Sequence, residues 1–381
     1  MKVNENYSFL IDVASTCNLK CPSCPQANPK NPVRRNELME PELLDSILRK
    51  ATSECQISFV YLYNWAEPFL NPKLPDLIDI VNSHNIPCGV SSNLNIRRNI
   101  DRVVASNPAN FVISTSGFNQ HTYGKMHAAG NVERVKENMI WLSEVRKNTN
   151  SRTRVEVNYI RYLGNLDELV LMRKFAASLG FFFRQSIAAL FPLERLLKYL
   201  SDSQKKERTI DEEKELFEIL LFPYEELMQL SGPFKRFPCS YREEQIVLNS
   251  RGQVQLCCLV FDPTRFTITD FLSDSIERIR ELKRGQDFCK SCIEKGIHTL
   301  GLRFGPNLRP VVLKKVADYY SEAGVDFHNL PRTSNGLWFD RSVRLLKESA
   351  RRSIVLRRLT REAVTRFPVL KRLPGDILSL E

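Results

Sequence analysis

Six short apolar runs, each separated from the next by a stretch with helical features, limit the fold of this chain more than any other property of its sequence. The runs fall at residues 9–14, 57–62, 88–90, 111–113, 154–159 and 181–183. Each is short enough and apolar enough to be a buried strand. Between them the pattern predicts helices over residues 41–51, 74–83, 100–105, 132–146 and 166–178. The first opens on Glu40-Pro41-Glu42, with proline at an early helical position where its missing N–H costs nothing. Strands alternating with helices argue for parallel βαβ units and an α/β fold.

The first run leads into Cys17-Asn18-Leu19-Lys20-Cys21-Pro22-Ser23-Cys24. Three thiols at this spacing can curl round one metal centre. A fully ligated iron–sulfur cluster takes four thiolates, so three leave one iron free for another ligand. A metal loop at the carboxyl end of a first strand is also where a βα barrel keeps its chemistry. A zinc knuckle is the alternative, although zinc sites usually pair CxxC units or add histidines, and this segment contains no His.

The CxxxCxxC run resembles the signature of the radical S-adenosylmethionine (SAM) superfamily. The resemblance implies an open (β/α)6 partial TIM barrel, for which the six strands are the right number. It also implies a 4Fe–4S cluster on Cys17, Cys21 and Cys24 whose open iron chelates SAM, and one-electron cleavage of SAM to a 5′-deoxyadenosyl radical. Further positions match. Asn64-Trp65-Ala66-Glu67-Pro68 stands where the family usually has Gly-Gly-Glu-Pro, with Glu67 and Pro68 retained, and Glu67 is the expected acceptor for the SAM ammonium. Ser91-Ser92-Asn93 lies where the family binds the ribose, which assigns Ser91 and Asn93 to the cofactor. Ser114-Thr115-Ser116-Gly117 resembles Ser-x-Asp-Gly, and His127 takes a place where an arginine often grips the SAM carboxylate. Asn158 on the fifth strand completes the expected cofactor set. Asn165 resembles the family's Gly-Asn-x-x-Glu position but is expected to be a helix N-cap.

A second constellation lies beyond residue 236. Residues 245–248 and 253–257 flank Asn249-Ser250-Arg251-Gly252, a hairpin signal, and a helix is expected over residues 275–284. Cys239, Cys257, Cys289 and Cys292 accompany these elements, and the arrangement resembles the twitch domain, a short SPASM domain carrying an auxiliary 4Fe–4S cluster. Four thiolates would saturate that cluster, leaving it to accept or relay an electron; a four-cysteine zinc site is the alternative. If Cys257 and Cys258 are both on a strand they point to opposite faces, and the spacing from Gly252 selects Cys257. Cys55 and Cys88 are expected to be buried small hydrophobes.

The expected layout is a radical SAM core over residues 1–190, a helical insertion over 191–235, a small C-terminal α+β twitch-like domain over 236–305, and a basic helical tail over 306–381. Of the net charge of +11, the tail from residue 341 carries eleven Lys or Arg against four Asp or Glu. The body is therefore nearly balanced, which argues against a nucleic-acid partner. A peripheral membrane or anionic contact is open for the tail. The amino terminus has no apolar signal core and no segment is of membrane-spanning length, so a cytoplasmic location is expected.

Together these features lead to the expectation of a two-cluster radical SAM oxidoreductase acting on a carbohydrate-like small molecule. It would draw its first electron from an external flavodoxin- or ferredoxin-like reductant. Arg184 and Arg161, at strand ends, are the candidate catalytic residues. Modification of a ribosomally made peptide is the alternative, set second because the barrel is expected to begin near residue 7 with no peptide-recognition domain before it. A zinc-binding interaction protein is the third reading.

Overall fold

The computed structural model describes residues 6–27, 36–201 and 237–301, with residues 217, 220–221, 228–229, 235 and 314. Most of the expected insertion, and the basic tail apart from residue 314, lie outside the described residues.

Six parallel strands form the body: β1 (Asn6–Ile11), β2 (Gln56–Tyr61), β3 (Cys88–Ser92), β4 (Asn110–Thr115), β5 (Arg154–Arg161) and β6 (Phe182–Ile187). They lie side by side in chain order, because each crossover helix returns the chain beside its preceding strand. The crossovers are α1 (Pro41–Glu54), α2 (Leu74–Ser83), α3 (Ile100–Ala105), α4 (Gln120–Met126), α5 (Val132–Asn148) and α6 (Glu168–Ser178). Both α1 and α2 carry proline in the first turn, and Asn131 caps α5 by accepting from the Arg134 N–H. Among the described residues the sheet does not close. This is the open (β/α)6 barrel that the resemblance implies and that six strands fit.

Strand alternation fixes two faces. Phe9, Ile11, Val90, Phe111, Ile113, Val155 and Val157 are buried in one core with Leu44, Ile47, Leu77, Val103, Met139 and Leu169 of the helices. The other face, turned to the barrel interior, carries Ser91 on β3, Ser114 on β4, Glu156 and Asn158 on β5, and Arg184 on β6. Register sets Ser114 opposite Asn158, and Asn158 opposite Arg184, in one row across three strands.

Helix α7 (Leu193–Ser201) follows β6, and the chain is next described continuously from residue 237. There α8 (Ser240–Glu243) precedes β7 (Gln245–Leu248), β8 (Gln253–Gln255), α9 (Pro263–Phe266) and β9 (Thr267–Asp270). Helices α10 (Ile276–Gly285), α11 (Asp287–Glu294) and α12 (Ile297–Gly301) complete it. β7 pairs in parallel with β1, so the barrel sheet runs on through the hairpin into a nine-stranded sheet. The hairpin turn needs Gly252, whose φ of +77° lies in the left-handed region. A second apolar cluster, with Leu193, Leu196, Leu256, Val260, Phe266 and Ile297, packs α7 against this C-terminal part.

Candidate active site

The Cys17–Cys24 loop leaves the carboxyl end of β1 and is tied to three neighbours. The Glu67 N–H donates to the Thr16 carbonyl at 3.0 Å, the Lys20 N–H to the Ala128 carbonyl at 2.8 Å, and the Asn93 side-chain amide to Asn18 Oδ1 at 2.9 Å. Asn93 Nδ2 also lies 3.7 Å from Cys17 Sγ. Within the loop the Leu19 N–H points at Cys17 Sγ and the Cys24 N–H donates to the Cys21 carbonyl, a turn that folds the three thiols together. Burial pushes the Cys17 thiol up to about 12 and the Cys24 thiol up to about 11, and raises Cys21 as well. The charges of Cys17 and Cys24 raise Cys21 further. Crowded, buried thiols of this kind ionise when a cationic centre takes them as ligands, so the donor set fits an iron–sulfur cluster.

Two carboxylates shape the surroundings, Asp12 half-buried and Glu67 buried. Asp12, not singled out from the sequence, follows β1 and accepts the N–H groups of Asn64, Trp65 and Ala66, each at 3.0 Å. It thereby fixes the loop in which Trp65-Ala66 replaces two glycines. Burial raises its pKa to about 6. Glu67 accepts from Phe69 N–H, Ser92 Oγ and Asn93 N–H at 3.2, 2.8 and 2.9 Å, and burial raises it to about 7. Its oxygens thus bind the ends of β2 and β3 together beside the thiol loop.

Ser91, Ser114 and Asn158 share the interior face. Asn158 Oδ1 is buried and, among the described residues, has no hydrogen-bond partner. His127 is placed differently from a cationic grip. Its Nδ1 is 2.7 Å from Ser116 Oγ, its ring stacks on Tyr123, and burial lowers its pKa to about 4, so at neutral pH it is uncharged. Arg184 pairs with Glu156, 2.6 Å from Nε to Oε1. Arg161 is 5% exposed and, by alternation, shares the Tyr159 face rather than the interior one.

Asn165 is not a helix N-cap. Asp167 holds that position, while Asn165 accepts from the Tyr162 N–H and donates to the Ser116 and Ile160 carbonyls. It ties the end of β5 to the loop after β4. Glu168 supports the same region by accepting from Phe118 N–H, Asn119 N–H and Thr122 Oγ1.

Cys239, Cys257, Cys289 and Cys292 line one cavity, together with Leu193, Tyr241, Arg242 and His298. Among the described residues no three His, Cys, Asp or Glu side chains are set to hold a single metal ion. Four thiols around a shared space are a donor set that either an iron–sulfur cubane or a four-cysteine zinc would take. Cys257 and Cys258 do not follow strand alternation as expected, because β8 ends at Gln255 and the pair sits in the turn beyond it. Cys258 donates its S–H to Cys257, which lowers the Cys257 pKa, and the cavity lining takes Cys257.

Trp65 ties the loop after β2 to the turn that carries Cys257 and Cys258. Its indole N–H donates to the Val260 carbonyl at 2.9 Å, and its ring meets Phe261 edge-on at 5.9 Å. Glu194 of α7 accepts the Phe261 and Asp262 N–H groups from the same turn. A tryptophan in a glycine position was the one sequence signal of this link.

Among solved structures, the chain is similar to SuiB of Streptococcus suis bound to the precursor peptide SuiA. The identity is 13% and the TM-score 0.52, over 77% of this chain and 71% of that one. SuiB of the same organism bound to S-adenosylmethionine matches at 14% identity and a TM-score of 0.50, over 77% and 70%. No protein-family model and no curated protein matches the sequence. The likeness is one of fold, and it agrees with the barrel that the resemblance of the cysteine run implies. No described helix is long and apolar enough to cross a membrane.

Proposed function

We propose that this chain, built on the fold of the radical SAM enzymes, is an oxidoreductase with two 4Fe–4S clusters. One is open and binds SAM; the other is closed and takes up an electron. The observation that carries the reading is the unequal pair of thiol sets in one continuous sheet: three on the loop after β1 and four around the cavity beyond β7. When bound, the open cluster and SAM supply a 5′-deoxyadenosyl radical that takes one hydrogen atom from a substrate carbon. A hydroxyl-bearing carbon radical would complete the two-electron oxidation by giving one further electron to the second cluster, which four thiolates would make a saturated acceptor, and its hydroxyl proton to water as the C=O bond forms.

The residues of the chain divide the remaining tasks. Cys17, Cys21 and Cys24 hold the open cluster, and Asn93 orients their loop. Asp12 fixes the backbone of residues 64–66, whose carbonyls would receive the ammonium of SAM, and Glu67 holds that loop to β3. Ser91, Ser114 and Asn158 offer hydroxyl and amide partners to the nucleoside, with His127 as a neutral buttress through Ser116. Arg184, balanced by Glu156, anchors the substrate rather than acting as a base, since a guanidinium keeps its protons. Arg161 supports the strand end.

A hydroxyl-bearing, carbohydrate-like substrate is the first reading, supported by the polar interior row and by a closed second site suited to net oxidation. Modification of a ribosomally made peptide is the second, supported by the fold shared with SuiB, seen bound to its precursor peptide. Anaerobic reconstitution should give about eight irons per chain, and about four after Cys17, Cys21 and Cys24 are changed to alanine. Zinc alone, without absorbance near 400 nm, would sink the proposal in favour of a zinc-binding module. Reduced protein supplied with SAM and polyols deuterated at the carbinol carbon should yield deuterated 5′-deoxyadenosine. Deuterium arriving only from labelled peptides would instead select the second reading.

A further inference from the structure

Lys283 lies on α10 with 1% of its surface exposed, and its ammonium donates to two backbone carbonyls, Tyr241 at 2.8 Å and Gln245 at 2.7 Å. Among the described residues no carboxylate pairs with it. A lysine ammonium so completely removed from water is costly unless an opposite charge compensates it, and carbonyl dipoles alone are partial compensation. The anions available are sulfurs. Tyr241, whose carbonyl it holds, lines the cavity of Cys239, Cys257, Cys289 and Cys292. Burial pulls the lysine's pKa down, while the charges of Cys257, Cys289, Cys239 and Cys258 act to raise it; Lys283 in turn favours the thiolate forms of these same four cysteines.

We propose that Lys283 is the built-in counter-cation of the second thiol site, a positioning residue that sets the reduction potential of a thiolate-ligated, net anionic cluster. This rests on the two-cluster reading above. The physical sequence is short. Four thiolates around a cluster of iron and sulfide leave the centre negative, and each added electron makes it more so. A fixed positive charge at close range in a low-dielectric interior therefore stabilises the reduced form more than the oxidised one. The two carbonyls hold that charge in place: the Tyr241 carbonyl belongs to α8, and the Gln245 carbonyl to the first residue of β7. The lysine thus caps α8 and β7 as well as supplying charge, and the test separates these two roles.

The experiment uses the full chain with Cys17, Cys21 and Cys24 changed to alanine, so that the remaining cluster signal is that of the second site. Iron and sulfide are measured, and the midpoint is read by electron paramagnetic resonance during a redox titration. Lys283→Met should keep its iron, with at least a tenfold loss in the one-electron equilibrium for reduction, about 59 mV lower. Lys283→Arg should return most of the shift. Lys283→Gln, uncharged but able to donate to a carbonyl, should resemble the methionine variant. An unchanged midpoint in an iron-replete methionine or glutamine variant, or an arginine variant shifted as far as methionine, would overturn the proposal. Should both uncharged variants fold but hold no iron while Lys283→Arg holds its full complement at the parent midpoint, the charge is required and the proposal stands. Loss of iron in all three makes the lysine a structural cap and ends it. Absence of iron from the parent protein is a different result, which removes the two-cluster reading itself.

Discussion

A histidine in water is cationic below about pH 6.5, but the His127 ring is 4% exposed, stacked on Tyr123 and joined to Ser116, and its pKa falls to about 4. The sign of its effect on stability follows directly. Between pH 4 and 6.5 the unfolded chain holds a proton on this residue and the folded chain does not. Its contribution is present above the unfolded value and is lost as pH falls through the folded one, amounting to about 3 kcal/mol. His127→Gln should remove that slope, read as the difference between wild-type and variant urea-denaturation free energies from pH 7 to pH 4. Asp12, raised by burial, runs the other way: its contribution is full below the unfolded value and fades as pH rises toward about 6. Both proteins carry Asp12, so its effect cancels in the difference. Parallel profiles would show that His127 is protonated inside the fold.

Elements differ in how plainly their residues announce them. The strands and helices of the barrel body were legible because Phe111-Val112-Ile113 is an unbroken apolar run, Val155 and Val157 alternate with polar residues, and Pro41 and Pro75 open helices. β9 was not, since Thr267–Asp270 has one apolar residue and is held by pairing with β8. Helix α4 was missed for a similar reason: a glycine interrupts it, and Glu168, 46 residues from Thr122, secures its first turn. The cysteine spacings identified the thiol sets, but the turn carrying Cys257 and Cys258 could not be told from a strand, and nothing local marked Lys283 as buried. The start of α4 also carries a sharp test. A Cβ on Gly117 would come within 2.4 Å of the Tyr123 backbone nitrogen and 2.8 Å of its Cα, and backbone cannot swing aside as a side chain can. Gly117→Ala should therefore destabilise the protein by about 1–3 kcal/mol, measured by urea denaturation. A loss under about 0.5 kcal/mol, typical of surface substitutions, would mean that this approach is not close in solution.

At the scale of the molecule, the question is whether the barrel and the part that follows residue 237 behave as one body. Backbone and side chains both say that they do. β7 extends the barrel sheet through β1, with Phe9 opposite Ile246 and Ile11 opposite Leu248, all four buried in the principal core. At the other end, Trp65 and Glu194 fasten the turn at residues 260–262 to the mouth of the barrel. A sheet shared across both parts cannot lose its last strands without exposing the β1 edge and the apolar face beneath it. The apoprotein should therefore unfold in a single transition, with far-UV circular dichroism and the reactivity of Cys239, Cys257, Cys289 and Cys292 moving together. Trp65→Ala removes the indole hydrogen bond and its contacts with Phe191 and Phe261. Because Trp65 is only half-buried, the cost should be roughly 2 kcal/mol, below the ~3–5 kcal/mol of a fully buried tryptophan. That loss should lower the midpoint in both probes alike, since the β1–β7 ladder still joins the two parts. Thiols that become reactive at a lower denaturant concentration than the loss of dichroism, already in the wild-type chain, would show that the C-terminal part opens independently. The shared sheet would then be a contact between two bodies, and the distance between the two thiol sets would be free to vary during turnover.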